Sequence, residues 1–268
     1  MNVASKIVIV TGGTFGIGRQ ITLGLAARGH KVVAFGLEGR QVSSTAEAAI
    51  PGLRDELAHR GLQAHLLEAD VSQSSDVQRV VSFALEHYGR IDGLVNNAAI
   101  GPLGTVLDTD EALFDRIVSV NLKGPYLTSR AVLPHMLRRG SGSIVNIGSG
   151  AGWGKPNMAV YSATKGALVA LGAATAYDFI HRGIKVNTVI PGGGGIVSGM
   201  SLGRVDGDTS KFGIGAPGTA AGRPATGDDI ANVVAFLLSP DAETISGAVI
   251  DVGCFAHQGG PVPPKPKS

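Results

Sequence analysis

The sequence predicts an α/β protein built on one parallel β-sheet with helices on both faces. Short runs rich in β-branched residues alternate with longer segments of helical period, which is typical of βαβ units. The first run, residues 7–10, has no polar residue and leads into a glycine-rich turn, as a strand buried on both faces does. The 268-residue chain can form a single domain with a sizeable core, and no internal repeat or linker divides it.

The strands are predicted where β-branched residues cluster between turn residues. They fall at residues 7–10, 31–35, 64–69, 93–95, 143–147, 185–190 and 248–252. The helices are predicted where apolar residues recur at intervals of three and four, as at Val77, Val80, Val81 and Ala84. They fall at residues 16–28, 53–60, 77–88, 111–138, 159–181 and 226–238, the last opened by a capping box at Thr226 and Asp229.

Composition excludes several classes of protein. A net charge of +2 provides no basic face for nucleic acid, and scattered histidines with a single cysteine, Cys254, provide no metal site. The uncharged stretch 186–203 contains Pro191 and six glycines, so it is not a membrane helix. Because the sequence has neither a signal peptide nor a second cysteine for a disulfide, we expect a cytoplasmic protein.

Glycine contributes 40 of the 268 residues, about twice its usual share of roughly 7%. Eleven of these glycines lie in residues 192–222, which have no periodicity and are expected to be mobile. The chain ends in a proline-rich, basic stretch, so residues 255–268 are expected to form an extended or disordered tail. The folded domain is therefore expected to span residues 1–254.

A glycine-rich turn, Thr11-Gly12-Gly13-Thr14-Phe15-Gly16-Ile17-Gly18, lies between the first strand and the first helix. Glycines let the chain turn tightly and let a pyrophosphate approach the backbone N–H groups at the helix N-terminus. A purely structural turn also favours glycine. The position after the first strand of an alternating chain, however, favours dinucleotide binding.

The TGxxxGxG spacing of this turn belongs to an ordered set of motifs. The others are Asp70-Val71, Asn96-Asn97-Ala98-Ala99, Asn121, Ser149, Tyr161-x-x-x-Lys165, Pro191-Gly192 and the closing run SGAVIDVG. From residue 3 to about residue 253, this set resembles the short-chain dehydrogenase/reductase family. The resemblance implies a Rossmann-type doubly wound parallel sheet of about seven strands, in a single NAD(P)-binding domain. It also implies an oxidoreductase that transfers a hydride between nicotinamide and a secondary alcohol or ketone.

The resemblance implies four catalytic residues, Asn121, Ser149, Tyr161 and Lys165. Tyr161 would be the general acid/base, and Lys165, four residues on and thus on the same helix face, would lower its pKa and bind the nicotinamide ribose. A free tyrosine has a pKa of about 10, and lowering it by about two to three units takes roughly 3–4 kcal/mol. Ser149 would orient the substrate oxygen, and Asn121 would anchor a water of the proton relay. The structural alternatives are a surface Tyr–Lys pair and, for Asn121, a polar residue at a helix irregularity.

The same resemblance implies a set of cofactor contacts at the carboxyl ends of the strands. The expected residues are Gly12, Thr14, Phe15, Gly16, Ile17, Gly18, Leu37, Asp70, Val71, Asn97, Tyr161, Lys165, Pro191, Ile196 and Ser198. Gly36 stands where NAD enzymes of the family carry an acid, and Leu37 where its NADP enzymes carry their marker. Glu38 could reach a ribose hydroxyl and Arg40 a phosphate, so we predict NAD or NADP and favour NAD.

The resemblance further implies that residues 192–222 form a substrate lid and that the protein is a homo-oligomer, in most relatives a tetramer. Ile100, Trp153, Lys155 and Met158 stand where substrate-facing residues usually fall. No residue distinguishes a 3-oxoacyl, sugar or steroid substrate, and neither nucleic acid nor membrane is an expected partner. The alternative function is a non-catalytic dinucleotide-binding regulator or scaffold, which would need no proton relay.

Overall fold

The computed structural model describes residues 5–38, 49–192, 196 and 219–253. Within these ranges seven parallel strands form one sheet with the order β3-β2-β1-β4-β5-β6-β7. The strands are β1 (Ile7–Thr11), β2 (Lys31–Gly36), β3 (His65–Glu68), β4 (Gly93–Asn96), β5 (Gly142–Ile147), β6 (Ile184–Pro191) and β7 (Val249–Val252). The predicted doubly wound sheet is confirmed, and every strand begins and ends within one residue of its predicted bounds.

Helices cover both faces of the sheet. They are α1 (Gly16–Ala27), α2 (Ala49–His59), α3 (Ser74–Tyr88), α4 (Glu111–Val118), α5 (Gly124–Arg139), α6 (Ala159–Phe179) and α7 (Gly227–Leu238). α2 begins earlier than predicted because Pro51 lies in its first turn, where a missing N–H costs nothing. The single helix predicted at residues 111–138 is instead two helices, α4 and α5, joined by a π-helical turn at Ser119–Lys123.

Two apolar clusters hold the helices to the sheet. One joins residues of α1, α2 and α7 to one face, with Ile21, Leu53 and Val234 among its fully buried members. The other joins α3, α5 and α6 to the opposite face, with Val132 and Met136 fully buried. Because both faces are covered, the central strands β1 and β5 are buried along their whole length.

Polar side chains tie the central strands together near their carboxyl ends. The amide nitrogen of Asn96 donates to Oδ1 of Asn146 at 2.9 Å, which links β4 to β5. The hydroxyl of Thr128 on α5 donates to Oδ1 of Asn96 at 2.6 Å. These buried groups satisfy one another and fix the edge of the sheet at which the functional motifs lie.

Two expected regions lie largely or wholly outside the described residues. Most of the expected lid at residues 192–222, and the whole tail at residues 255–268, lie outside them. Among the residues that are described, no helix combines the length and the apolar content of a membrane span.

Candidate active site

The candidate site lies at the carboxyl ends of β1 and β4, where the order of the strands reverses. The chain passes from β1 to β2 on one side and from β4 to β5 on the other. The loops after these two neighbouring strands therefore diverge and leave a crevice between them, the usual ligand position in a doubly wound sheet.

The turn after β1 is shaped for close approach of a ligand to the backbone. Gly12 and Gly16 have φ angles of +58° and +55°, which residues with a side chain rarely adopt. A Cβ on Gly18 would overlap the carbonyl oxygen of Gly12. Phe15 precedes α1 in extended conformation without a capping side chain, and the first turn of α1 contains no acidic residue. The N–H groups and the positive dipole end of α1 thus suit a phosphate.

Asn97 fixes this turn from the neighbouring strand. Its side-chain amide donates to the carbonyls of Thr11 and Gly12, both at 3.0 Å, and its backbone N–H donates to Oγ1 of Thr11 at 3.0 Å. The side chain therefore joins the end of β4 to the end of β1. Its expected contact with the adenosine ribose stays a prediction.

Asp70 and Val71 follow β3, at the expected border of the adenine. One carboxylate oxygen of Asp70 accepts from both the backbone N–H and the hydroxyl of Ser72, at 2.9 Å and 2.7 Å. The backbone N–H of Asp70 donates to Asp76, and this bond holds the pKa of the Asp76 carboxyl below its usual value. Val71 is buried. These bonds fix the Asp70 side chain against the residues that follow it.

The end of β2 lacks the usual cofactor markers. A Cβ on Gly36 would lie 2.6 Å from Oγ1 of the buried Thr14, so a side chain at this position would require the Thr14 hydroxyl to move. Leu37 is 37% exposed. Glu38 reaches α2, where its Oε2 accepts from the N–H of Ile50 at 3.3 Å. Its other oxygen, Oε1, is buried and has no hydrogen-bond partner among the described residues.

Ser149 lies just after β5 and caps a single 3-10 turn, Gly150–Trp153. Its Oγ accepts from the backbone N–H of Ala151 at 3.2 Å. A hydroxyl has one donor as well as acceptor lone pairs, so this bond leaves the O–H of Ser149 able to donate to a ligand. Ala151 also packs with Met158 and Tyr161 in a small apolar cluster beside Ser149.

Tyr161 and Lys165 lie on α6 and are 5% and 2% exposed, so they do not form a surface pair. Nζ of Lys165 lies 5.8 Å from the centre of the Tyr161 ring. It donates to the carbonyl of Ile147, two residues before Ser149, at 2.8 Å. Burial lowers the pKa of Lys165 from 10.5 to about 8. The ammonium is therefore charged at neutral pH, and the Ile147 carbonyl uses one of its three N–H donors.

Asn121 lies on the π-helical turn and is fully buried. Its Oδ1 accepts from the backbone N–H of Ile100 at 2.9 Å, and its Nδ2 donates to the carbonyl of Ile100 at 2.8 Å. Nδ2 also lies 3.2 Å from Oγ1 of Thr164 on α6. The helix irregularity named as a structural alternative is present, whereas the anchoring of a water stays a prediction. The sequence did not indicate Thr164, because a threonine inside a helix has no pattern that reveals a tertiary contact.

The remaining expected cofactor residues lie at the end of β6, against the core or outside the described residues. Pro191 ends β6, and the next residue, Gly192, donates its N–H to the carbonyl of Val252 at 3.0 Å. Ile17 and Ile196 are partly buried and pack on the core cluster under α1 and α7. Ser198 lies outside the described residues.

Comparisons with known proteins agree with one another. Residues 6–201 match a family model described as short chain dehydrogenase. The chain is 38% identical to 2-(S)-hydroxypropyl-CoM dehydrogenase 3 of Xanthobacter autotrophicus, with 96% of each chain covered. It is 35% identical to a 3-oxoacyl-(acyl-carrier-protein) reductase of Staphylococcus epidermidis, over 92% of this chain and 97% of that one. The solved structure of a variant actinorhodin polyketide ketoreductase with NADPH superimposes with a TM-score of 0.82 and 29% identity, covering 94% of this chain and 97% of that one.

Replacing the buried ammonium by an apolar side chain is expected to stabilise the protein. Lys165→Met removes a charge that is costly to bury, although it also leaves the Ile147 carbonyl without its donor. We expect the free energy of unfolding at pH 7 to rise by about 1–2 kcal/mol. Since the pKa is about 8 in the folded protein and 10.5 otherwise, the advantage is full below pH 8 and disappears as the pH rises to 10.5. Urea unfolding of both proteins across this range measures it.

The matched control is Lys123→Met, at an exposed lysine of the π-helical turn. It should leave the free energy of unfolding unchanged at every pH. If Lys165→Met were less stable than the wild type at pH 7, the buried ammonium would be a net stabilising group and the expectation would be wrong.

Proposed function

The chain belongs to the short-chain dehydrogenase family, and from this we propose that it interconverts a secondary alcohol and its ketone with Tyr161 as the general acid/base. It is an NAD(P)-dependent oxidoreductase of alcohols or carbonyl compounds. The observation that carries the proposal is the buried Lys165 ammonium, 5.8 Å from the Tyr161 ring and bonded to the strand end that precedes Ser149. A non-catalytic scaffold has no use for such a charge, because its burial is unfavourable.

The glycine-rich turn fits the diphosphate of a nicotinamide dinucleotide. Gly12 and Gly18 lie where a Cβ would meet backbone, and the uncapped N-terminus of α1 faces the same space with its N–H groups. When bound, a nicotinamide cofactor would supply the hydride donor or acceptor at this site. The proposed contacts besides the turn are Leu37, Asp70, Val71 and Asn97 for the adenosine half, and Tyr161, Lys165, Pro191, Ile196 and Ser198 for the nicotinamide half.

We propose that the four polar side chains divide the proton chemistry among them. In oxidation Tyr161 takes the proton of the alcohol oxygen, and in reduction it returns a proton to the carbonyl oxygen. Ser149 donates its O–H to that oxygen, since its Oγ already accepts from Ala151. Lys165, charged at pH 7, stabilises the phenolate and binds the ribose with its remaining N–H donors. Asn121 anchors the water through which the proton leaves.

We propose an acyclic secondary alcohol or ketone as the substrate. The curated relatives are named for acyclic substrates, 2-(S)-hydroxypropyl-CoM and a 3-oxoacyl group. The apolar cluster of Ala151, Met158 and Tyr161 supports this proposal, because it surrounds the proposed acid/base with apolar side chains. A hydroxyl-rich sugar would require more polar partners beside Tyr161.

For the cofactor we propose NAD, on the evidence of the Glu38 carboxylate. A buried carboxylate oxygen without a donor is unfavourable, and the O–H of a ribose 2′-hydroxyl would satisfy Oε1. A 2′-phosphate would instead bring negative charge against it. Arg19 on α1 is already engaged, because its guanidinium is bound to Glu56 at 2.6 Å and to the Gly52 carbonyl, and Arg40 lies outside the described residues. The relative solved with NADPH does not bear on this choice, which depends on residues of this chain.

We propose a homotetramer in which α4, α5 and α6 pack between copies. Phe114, Tyr126 and Tyr177 on these helices are 46%, 48% and 85% exposed, more apolar surface than a monomer needs there. Light scattering of the purified chain tests this, and a monomer at micromolar concentration would contradict it. A cytoplasmic location, expected from the single cysteine, stays a prediction that cell fractionation tests.

Tyr161→Phe should abolish most turnover without loss of cofactor binding. It removes the proton donor and acceptor, so we expect kcat to fall about 100- to 10,000-fold on 3-oxoacyl thioesters or other acyclic ketones, followed by nicotinamide absorbance. The matched control is Tyr88→Phe at the end of α3, outside the helices proposed to pack between copies, which should keep full activity. Full turnover by Tyr161→Phe would refute the mechanism. If no alcohol or carbonyl compound in a broad panel reacts with the wild type, the scaffold alternative is favoured.

Glu38→Gln should weaken the preference for NAD. The amide keeps an oxygen for the Ile50 N–H but removes the negative charge, so we expect the ratio of the NADP to the NAD dissociation constant to fall about tenfold. Calorimetric titration of both nucleotides measures the ratio. Glu86→Gln, at an exposed position of α3, is the control and should leave it unchanged. A ratio unaltered by Glu38→Gln would assign that carboxylate to capping of α2 alone.

A further inference from the structure

The side chain of Thr164 joins the catalytic turn of α6 to two other segments. Its hydroxyl donates to the carbonyl of Tyr161 at 2.8 Å and accepts from Nδ2 of Asn121 at 3.2 Å. The same Asn121 amide holds both backbone groups of Ile100, at 2.9 Å and 2.8 Å. Thr164, 3% exposed, and Asn121, fully buried, thus connect the loop after β4, the π-helical turn and α6.

This contact lies at the turn of α6 that carries both Tyr161 and Lys165. Thr164 lies between Tyr161 and Lys165, and its hydroxyl bonds the carbonyl of the tyrosine itself. The loop that holds Ile100 begins at Asn97, which braces the glycine-rich turn. The Asn121–Thr164 bond is therefore a direct polar link between the turn of α6 that carries the acid/base and the loop that borders the cofactor crevice.

The bond is made from the irregular helix geometry observed at Asn121. A π-helical turn inserts a residue relative to regular α-helix and so rotates the side chains that follow it. Asn121, on the Ser119–Lys123 turn, reaches Ile100 and Thr164 at once. π-turns occur frequently at functional sites, and here the side chain of Asn121 on the turn contacts α6 and the loop after β4.

We propose that Thr164 is a positioning residue whose hydroxyl, acting through Asn121, sets the placement of Tyr161 and Lys165 relative to the cofactor crevice. This inference rests on the proposed role of Tyr161. A small displacement of the acid/base costs a large factor in rate, because proton transfer needs the reacting atoms in contact. The hydroxyl bonds the carbonyl of Tyr161 and the amide of Asn121 at the same time, so its removal breaks both contacts.

α6 contains a matched threonine without such a link. Thr175 donates its hydroxyl to the carbonyl of Leu171 at 2.7 Å, the ordinary bond of a threonine inside a helix. Replacing either threonine by valine keeps the shape and removes one hydroxyl. Only Thr164→Val also removes the acceptor of a buried amide from another segment.

The first experiment compares Thr164→Val, Thr164→Ser and Thr175→Val. We expect Thr164→Val to lower kcat about 10- to 100-fold while the dissociation constant of the cofactor, measured by calorimetry, stays within about twofold. Serine keeps the hydroxyl and should restore kcat to within about threefold of the wild type. Thr175→Val should leave kcat unchanged. If Thr164→Val lowers the melting temperature but not kcat per folded molecule, the hydroxyl is merely structural and the proposal is overturned.

The second experiment asks whether Thr164 acts through Asn121. Asn121→Ala should lower kcat by itself, and Thr164→Val should then cause less than about a twofold further loss in that background. Multiplicative losses would overturn the proposed route. Should Thr164→Val not fold, Thr164→Ala replaces it in both experiments. Tyr161→Phe is measured in parallel: if it stays active the proposed function fails, and if it is inactive while Thr164→Val has wild-type kcat, only the present inference fails.

Discussion

The arrangement of this protein depends on the junction between β1 and β4. Two parallel strands that end side by side leave carbonyl groups without a ladder partner just where the chain must turn away from the sheet. The side-chain amide of Asn97 donates to the free carbonyls of Thr11 and Gly12. The side chains of Asn96 and Asn146 pair between β4 and β5. Because side chains rather than further strand satisfy these groups, the two loops can diverge and a crevice can remain open between them.

The groups around this crevice are held at a cost in stability. Lys165 keeps a charge in a buried position, and Glu38 keeps a buried carboxylate oxygen for which the described residues supply no donor. These unfavourable contributions to stability are offset by the apolar core, because helices cover both faces of the sheet and central strands such as β5 are buried throughout. Such costs in an otherwise satisfied structure are typical of a site arranged for a ligand and a reaction.

Features that depend on neighbouring residues could be predicted from the sequence, whereas those that depend on residues far along the chain could not. Strand positions were predicted to within one residue because each buried strand is marked by its own run of β-branched residues. The glycine-rich turn is likewise marked by its own residues. The π-helical turn was missed because SVNLK contains no helix breaker, and the irregularity depends on bonds from Asn121 to Ile100 and Thr164, which are 21 and 43 residues away. The sequence also showed that Gly36 is not an acid, but not that Thr14 occupies the space.

The close approach of Thr14 to Gly36 is relevant to the proposed binding of NAD. Because Oγ1 of Thr14 lies 2.6 Å from the position of a Cβ at residue 36, an acid there would require the Thr14 hydroxyl to move, whereas a carboxylate further along the chain would not. Glu38 supplies one, but a side chain two residues beyond the strand would lose conformational freedom on binding a ribose. Its bond to the N–H of Ile50 removes that cost in advance, since one oxygen is already held by the start of α2. The orientation of the carboxylate therefore depends on the packing of α2, whose Leu53 and Leu57 lie in the core, and not on the end of β2 alone.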